Sequence, residues 1–393
     1  MNTKRIERAR ERAAEDAAGP VYHGAPRGAL RRKRRLAIGD PQAPLSRFFE
    51  ILERHGVLAD DGRLREDVHL VSIGDHFDWG SREERARAAA DGLAMLGWLA
   101  AHAPDQVTLV LGNHDLARVG ELAGLDDRSF AAAQAEADAI DRDDSQAEAD
   151  FVARHPGFAT SEIAARDLAT FTAAQQRLVA SLLKARRFSA GAAASESLLL
   201  CHAGVSADEL QALGLAAPAQ AEAPVVADAL NAALDRAVAN WDGRSALAIP
   251  GLHQPGNATS GEARGIFFNR PGHPEHERVS GSGDASAYAG PPRRRYDPRR
   301  LPRGLTQAIG HIRDAKCRRL LGPWAADQAA QDGPLRYLRV RGAEVRYARG
   351  LPKADDRVAA TLLFLDGGMY FIPDLADYEL LDLDRLAPAP RAI

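Results

Sequence analysis

The chain has 393 residues, with 51 Lys and Arg against 54 Asp and Glu, and its formal charge of −3 excludes a whole-molecule attraction to nucleic acid or to an anionic membrane. Two cysteines, Cys201 and Cys317, are too few for a disulfide framework or a thiolate zinc site, so a reducing cytoplasm is the expected setting. The longest mostly apolar run, Val358 to Leu365, is too short to span a bilayer, and the charged N-terminal stretch lacks the apolar core of a signal peptide.

Residues 1–35 read as a polar, basic arm, helical at first and then broken by Gly19, Pro20, Gly24, Pro26 and Gly28. The run Arg31 to Arg35 has no aromatic interleaving and reads as solvated rather than as a nucleic-acid contact. Folded structure is expected from Leu36 as a single domain over 36–393, with insertions at about 116–196 and 243–303. LAIGD reads as a strand ending in a Gly-Asp turn, and Phe48, Phe49, Ile51 and Leu52 then share one helix face. VHLVSIGD repeats the pattern and leads into an Ala-rich helix from about Arg82 to Ala101; VTLVLGNHD is a third copy. The stretch between His114 and Ser197 is Ala-rich and acidic, with helical propensity. SLLLCHAG and LTQAIGH each end an apolar run at a histidine, and TLLFLDGG ends one at an aspartate. Residues 242–303 read as a long loop region holding His253, His273 and His276, with Trp241 and Asp242 capping the helix before it. PLRYLRVRGAEVRYARG reads as a hairpin turning at Arg341-Gly342.

Strand ends in α/β sheets are where reactive groups converge, because strands fix the Cα positions and the following loops leave side chains free to meet. Here the strand ends carry Asp40, Asp75, Asn113, His202 and His311. Carboxylate, amide and imidazole donors in that mixture suit Mn, Fe or Zn rather than calcium. A Gly-Asp after a strand is often only a turn, and a lone histidine is more often a hydrogen-bonded core residue than a ligand. GDHFDWG followed by GNHD, HAG and GH in order is far more specific than any of its pieces.

Those motifs resemble the calcineurin-like metallophosphoesterases, whose ordered signature is Asp-x-His, Gly-Asp-x-x-Asp, Gly-Asn-His-Asp/Glu and two separate histidines. The resemblance covers most of residues 36–370. It implies a four-layer α/β/β/α sandwich of two mixed sheets with helices outside, and the Ala-rich stretch after His114 reads as a helical insertion over one edge. It implies two divalent transition-metal ions, Mn²⁺ first, with Fe or Zn as alternatives. Asp40 would bind the first ion, Asp75 would bridge both, and Asn113, His202 and His311 would bind the second. A hydroxide bridging the ions would be the nucleophile, His114 the general acid, and Asp78 the carboxylate orienting it.

Two departures stand out. Gln42 occupies the position of the first motif's histidine and would be a weaker, neutral ligand of the first metal. Trp79 precedes Gly80 where the phosphoprotein-phosphatase branch has a phosphate-clamping arginine, while HAGV and LDGG look closer to bacterial diadenosine-tetraphosphatase and Shewanella-like phosphatase branches. Arg270 is the candidate replacement clamp, with a plain surface arginine as the competing reading, and Arg313 is a weaker candidate. His76, beside Asp75, is read as packing or as supporting the ligands from behind. The implied activity is hydrolysis of a phosphomonoester, with a dinucleoside polyphosphate as the alternative substrate, so the partner would be a phosphorylated small molecule, nucleotide or phosphoprotein. A catalytically degenerate phosphatase fold that only binds a phosphorylated partner is the rival class.

Overall fold

The computed structural model describes residues 2–19, 22, 34–141, 143–215, 221–275, 295–326, 328–352 and 359–391. His276 and Arg31 to Lys33 lie outside them. Each apolar run that the sequence ends at a Gly-Asp, a histidine or an aspartate is a strand. In the first six-stranded sheet, β1 (Arg34–Ile38), β2 (Val68–Ser72), β3 (Val107–Val110) and β4 (Phe188–Ser189) run parallel. β15 (Leu381–Asp382) and β16 (Ala387–Pro388) extend that sheet beyond β1 with antiparallel pairing.

The second six-stranded sheet has β6 (Leu198–Leu200), β11 (Thr306–Ile309) and β14 (Ala360–Phe364) as its parallel centre. It is flanked by β5 (Ala192–Ala193) on one side and by the hairpin β12 (Arg336–Arg341) and β13 (Glu344–Arg349) on the other. Four short strands form two ribbons in the loop region: β7 (His253–Gln254) with β8 (Arg264–Gly265), and β9 (Arg270–Pro271) with β10 (Arg295–Tyr296). The expected hairpin is β12–β13, turning at Arg341 and Gly342.

Successive strand residues point to opposite faces, and the core divides accordingly. Ala37, Val71 and Val110 of the first sheet cluster with Leu198, Leu200, Ala308 and Leu363 of the second, so the two sheets pack face to face. Their neighbours in sequence, Leu36, Ile38, Leu70, Leu109, Leu199, Ile309, Leu362 and Phe364, belong instead to the cluster shared with the helices. This alternation makes the layered α/β sandwich: a strand apolar on both faces needs a cover on each.

Among the described residues the helices are α1 (Thr3–Asp16), α2 (Leu45–Arg54), α3 (Arg85–Ala100), α4 (Asn113–Ala117), α5 (Asp127–Ala137), α6 (Ser145–Arg154), α7 (Ala173–Lys184), α8 (Ala207–Ala212), α9 (Ala223–Ala239) and α10 (Asp314–Leu321). Within the stretch read as a polar arm, α1 is packed. Its Ile6, Ala9 and Ala13, spaced three and four apart, are buried in the core with α2 and α3, where Phe48, Phe49 and Trp98 meet edge to face. Arg34 and Arg35, from the run read as solvated, open β1. The acidic stretch after α4 folds as α5, α6 and α7, and Phe130, Phe151, Phe158 and Phe171 there form an aromatic cluster of their own.

Candidate metal centre

Within each sheet the parallel strands end on one edge, and those ends deliver the reactive side chains. Asp40, Asp75 and Asn113 follow β1, β2 and β3; His202, His311 and Asp366 follow β6, β11 and β14. All six are buried. Asp75 and His311 hold φ of 55° and 66°, and Asp78 holds 66°, a left-handed conformation that non-glycine residues adopt at a cost. Such strain gathered at three residues of one loop cluster points to function rather than to folding economy.

Asp75, His202 and His311 each present a ligand atom, and these atoms lie within 4.8 Å of one another. His202 gives its Nδ1–H to the carbonyl of Ile73 at 2.7 Å, which turns Nε2 towards Asn113 Oδ1 at 3.0 Å and Asp75 Oδ2 at 3.3 Å. A neutral ring so placed would oppose lone pairs to lone pairs. Either a proton or a cation must stand between them. Without a metal the proton answers: Asp75 holds the His202 pKa above its ordinary value, against the opposing effect of burial. His311 gives Nε2–H to the carbonyl of Phe268 at 3.1 Å, which leaves Nδ1 as its free donor atom. Burial, then the charges of Arg270 and His202, push its pKa well down, so the ring stays neutral and could serve as a ligand.

Asp40 supplies the second sign of a cation site. Its Oδ2 accepts the backbone N–H of His311 at 2.7 Å, while its buried Oδ1 has no hydrogen-bond partner among the described residues. Burial, then the charges of Asp366 and Asp75, hold its pKa far above the usual carboxylate range. A divalent ion would satisfy the orphaned oxygen and offset the crowding of carboxylates, so the residues fit the metal that the motifs imply. Gly310 makes the approach feasible, because a Cβ there would overlap Asp40 Oδ1.

Beside this centre stands a proton-handling group. His114 accepts a loop position from Asp75, whose Oδ1 takes the His114 backbone N–H at 2.8 Å. Its ring gives Nδ1–H to Asp78 Oδ2 at 2.8 Å, and Nε2 is left towards the cleft, 3.9 Å from Asp75 Oδ2. Burial opposes charge on this imidazole, but Asp75 and Asp78 outweigh it and raise the pKa to about 9. Asp78 is itself held by Arg118 Nη2 at 2.7 Å and by the Thr170 hydroxyl and backbone N–H at 2.7 and 2.9 Å. Those contacts keep Asp78 ionised despite complete burial.

The sequence model of the calcineurin-like phosphoesterase family matches residues 33–211. Over that span, just under half of the chain, the sequence is similar to the calcineurin-like phosphoesterase family. Its members use divalent metal ions, and the matched residues include Asp40, Asp75, Asn113 and His202. Among solved structures, the chain is similar to a cold-active protein tyrosine phosphatase at 12% identity and a TM-score of 0.36, covering 94% of this chain and 77% of that one. It is also similar to a protein serine/threonine phosphatase from Saccharomyces cerevisiae at 12% identity and a TM-score of 0.35, covering 93% of this chain and 90% of that one. No curated protein sequence matches. No helix among the described residues is long and apolar enough to cross a membrane.

The remaining candidates are placed by their contacts. A cleft of about 590 Å³ is lined by Asp40, Gln42, Asp75, His114, Arg270 and His311, joined by Arg313 and Asp366. Gln42 is half-buried, and its amide N–H donates to the carbonyl of Phe77 at 2.7 Å. Arg313 is paired with Asp332 and lies 3.4 Å over the ring of Phe371. His76 is fully buried between Ser72 and Asp115, a supporting place. Asp115 in turn accepts the backbone N–H groups of Asp75, His76 and Gly112 and so ties the second loop to the third.

His253, read as part of a solvated loop, is instead buried and stacked on Phe268 at 5.5 Å. The ribbon β7–β8 brings it inward, and loop composition gave no sign of that. His273 is half-buried with its ring 4.3 Å from Trp324. Asp242 accepts the backbone N–H groups of Arg244 and Ser245, which makes a turn after α9. Three site residues had no sequence-based role: Arg118, Thr170 and Asp366. Arg118 stands four residues after His114, capping α4 one turn on, a spacing visible in the sequence. Thr170 is 92 residues from Asp78 and had no local signal.

Proposed function

We propose that this chain is a phosphatase that cleaves a phosphomonoester with two divalent ions, Mn²⁺ first, held by Asp40, Gln42, Asp75, Asn113, His202 and His311. The ions, when bound, supply Lewis acidity towards the phosphoryl oxygens and lower the pKa of water. The residues of the chain do the rest. His114 gives the proton on Nε2 to the departing oxygen, because Asp78 holds its other nitrogen and keeps the ring charged. Arg118 and Thr170 fix Asp78, so the imidazole keeps one orientation through the reaction. Arg270, half-buried in the cleft wall, meets the phosphate where the clamp arginine is replaced by Trp79.

The observation that carries this reading is the ordered chain of contacts from Thr170 and Arg118 through Asp78 to His114, beside a donor set with an unpartnered carboxylate oxygen. A protein that only bound phosphate would have no use for a half-buried, carboxylate-held proton donor. Cys201 and Cys317 are buried free thiols, which suits the expected cytoplasmic setting. One feature favours a polyphosphate substrate as the second reading. A further basin of about 400 Å³ runs on from the cleft past Arg270, Lys316 and Arg319 to Arg166 and Arg295. Additional phosphates beyond the scissile one would meet cations there, with Glu162, Asp167 and Glu262 setting a limit to how much negative charge is accepted.

Chelator-treated protein, shown metal-free by elemental analysis, should lose nearly all hydrolysis of p-nitrophenyl phosphate, and Mn²⁺ should restore it. A phosphopeptide and a dinucleoside polyphosphate, run beside it, decide between the substrate classes. Full activity in metal-free protein would overturn the reading.

A further inference from the structure

The two ion sites of the proposed function are unequally furnished. Asn113, His202, His311 and Asp75 give one ion a full set of donors, whereas Asp40, Gln42 and Asp75 give the other a neutral amide where an imidazole or an anion is needed. That amide is fixed through its nitrogen, by the bond to Phe77. The topology brings another donor to the same place. β14 pairs in parallel with β11, with Phe364 opposite Ile309, so Asp366 stands two residues past the end of β14 just as His311 stands two past the end of β11.

The two sheets meet at that point. A Cβ on Gly39 would overlap the carbonyl of Leu365 and sit 2.6 Å from the backbone nitrogen of Asp366, so the loop carrying Asp40 lies directly on the loop carrying Asp366. Asp366 is only 6% exposed, and its carboxylate lines the cleft with Asp40, Gln42 and Asp75. Its Oδ1 accepts the backbone N–H of Gly368 at 2.9 Å, which sets the rotamer. The nearest buried guanidinium, Arg336, is engaged by the carbonyls of Asp366 and Ile312 and by the Tyr347 hydroxyl. Arg313, on the cleft's other side, is paired with Asp332. Asp40, Asp75 and Asp366 therefore bring three buried carboxylates to one cleft, and Asp40 there has an oxygen with no partner among the described residues.

We infer that Asp366 is a ligand of the first divalent ion, supplying the anionic oxygen that Gln42 does not. This rests on the two-metal reading above. A carboxylate from β14 replaces an imidazole from the loop after β1, and the first site becomes all-oxygen while the second keeps its histidines. Harder ions such as Mn²⁺ are then favoured at the first site over Zn²⁺.

Calorimetric titration of metal-free protein with Mn²⁺ tests the assignment without reference to activity. Wild-type protein should take up two ions. In Asp366→Asn one of them should bind at least ten-fold more weakly and the other within two-fold of wild type, since asparagine keeps the acceptor for Gly368. Gln42→His added to Asp366→Asn should recover most of the loss, and this double variant also guards against a single variant that folds poorly. Wild-type affinity at both sites in Asp366→Asn, or equal weakening of both, would overturn the assignment and leave the two-metal reading intact. Uptake of fewer than two Mn²⁺ ions by wild-type protein would overturn both.

Discussion

Replacing His114 with alanine separates proton donation from metal binding, because the ring touches Asp78 and the cleft but is not among the proposed ligands. Its Nδ1 bond to Asp78 is 2.8 Å, and Asp75 and Asp78 raise its pKa to about 9 against burial, so the ring favours the protonated form at neutral pH. An ion at Asp75 would neutralise one of the two carboxylates that raise this value, leaving Asp78 to keep the proton in place. General-acid catalysis contributes about 10²- to 10⁴-fold, or roughly 3–5 kcal/mol of barrier. The loss should approach that range for an alkyl phosphate, whose departing alkoxide requires a proton. It should be at least ten-fold smaller for p-nitrophenyl phosphate, whose leaving group does not. The assay is kcat/KM for both substrates with Mn²⁺ content checked by elemental analysis. Equal losses on the two substrates, with metal content unchanged, would remove the proton-donor role.

Three other outcomes follow from named contacts. Asp78→Asn removes an anion that favours the charged ring, so the His114 pKa falls and the alkaline limb of the pH–rate profile should move to lower pH; an unmoved limb contradicts the pairing. Gly310→Ala puts a methyl where Asp40 Oδ1 lies, and Mn²⁺ affinity measured by calorimetry should fall by more than ten-fold, whereas wild-type affinity would show that Asp40 has other room. His102 is buried, with its pKa depressed to about 4 by desolvation, Nδ1–H given to the Trp98 carbonyl and Nε2 accepting from the Leu64 backbone. The unfolded ring protonates first, so this group's stabilisation is full above about pH 6.5 and is lost as pH falls towards 4, by about 3 kcal/mol in all. Denaturant melts of His102→Asn should show a correspondingly shallower slope across that window.

The layered fold was legible, and so were most residues of the candidate centre, because both depend on local order. A short apolar run fixes a strand, a Gly-Asp or a histidine marks its end, and parallel pairing carries the ends to one edge. Asp366 obeys the same rule, since TLLFLDGG ends like the other runs. Its proposed role emerges only from register: Phe364 opposite Ile309 and the packing of Gly39 on Leu365 are relations between distant segments. Thr170 was hidden for the same reason, lying 92 residues from the carboxylate it holds. The packed α1 was missed on a different ground. Two of the three buried positions of its inner face, Ile6, Ala9 and Ala13, are alanines, so the stripe is too weakly apolar to stand out against its arginines and glutamates.

The features that are costly for folding coincide with those needed for chemistry. Asp75, Asp78 and His311 hold left-handed backbone, Asp40 buries an oxygen without a partner, and Asp40, Asp75 and Asp366 bring like charge into one cleft. None of these is explained by packing, since each would be cheaper with glycine or an apolar residue in its place. Their cost is borne by the two sheets and the helices that cover them, whose apolar faces are filled throughout. A bound cation removes two of the three costs at once: it partners the orphaned oxygen and offsets the repulsion, while the strained loops keep its ligands aimed. The same ion that the chemistry requires should therefore also stabilise the fold, and a metal-free protein that melts at the same temperature as one saturated with Mn²⁺ would be inconsistent with the centre described.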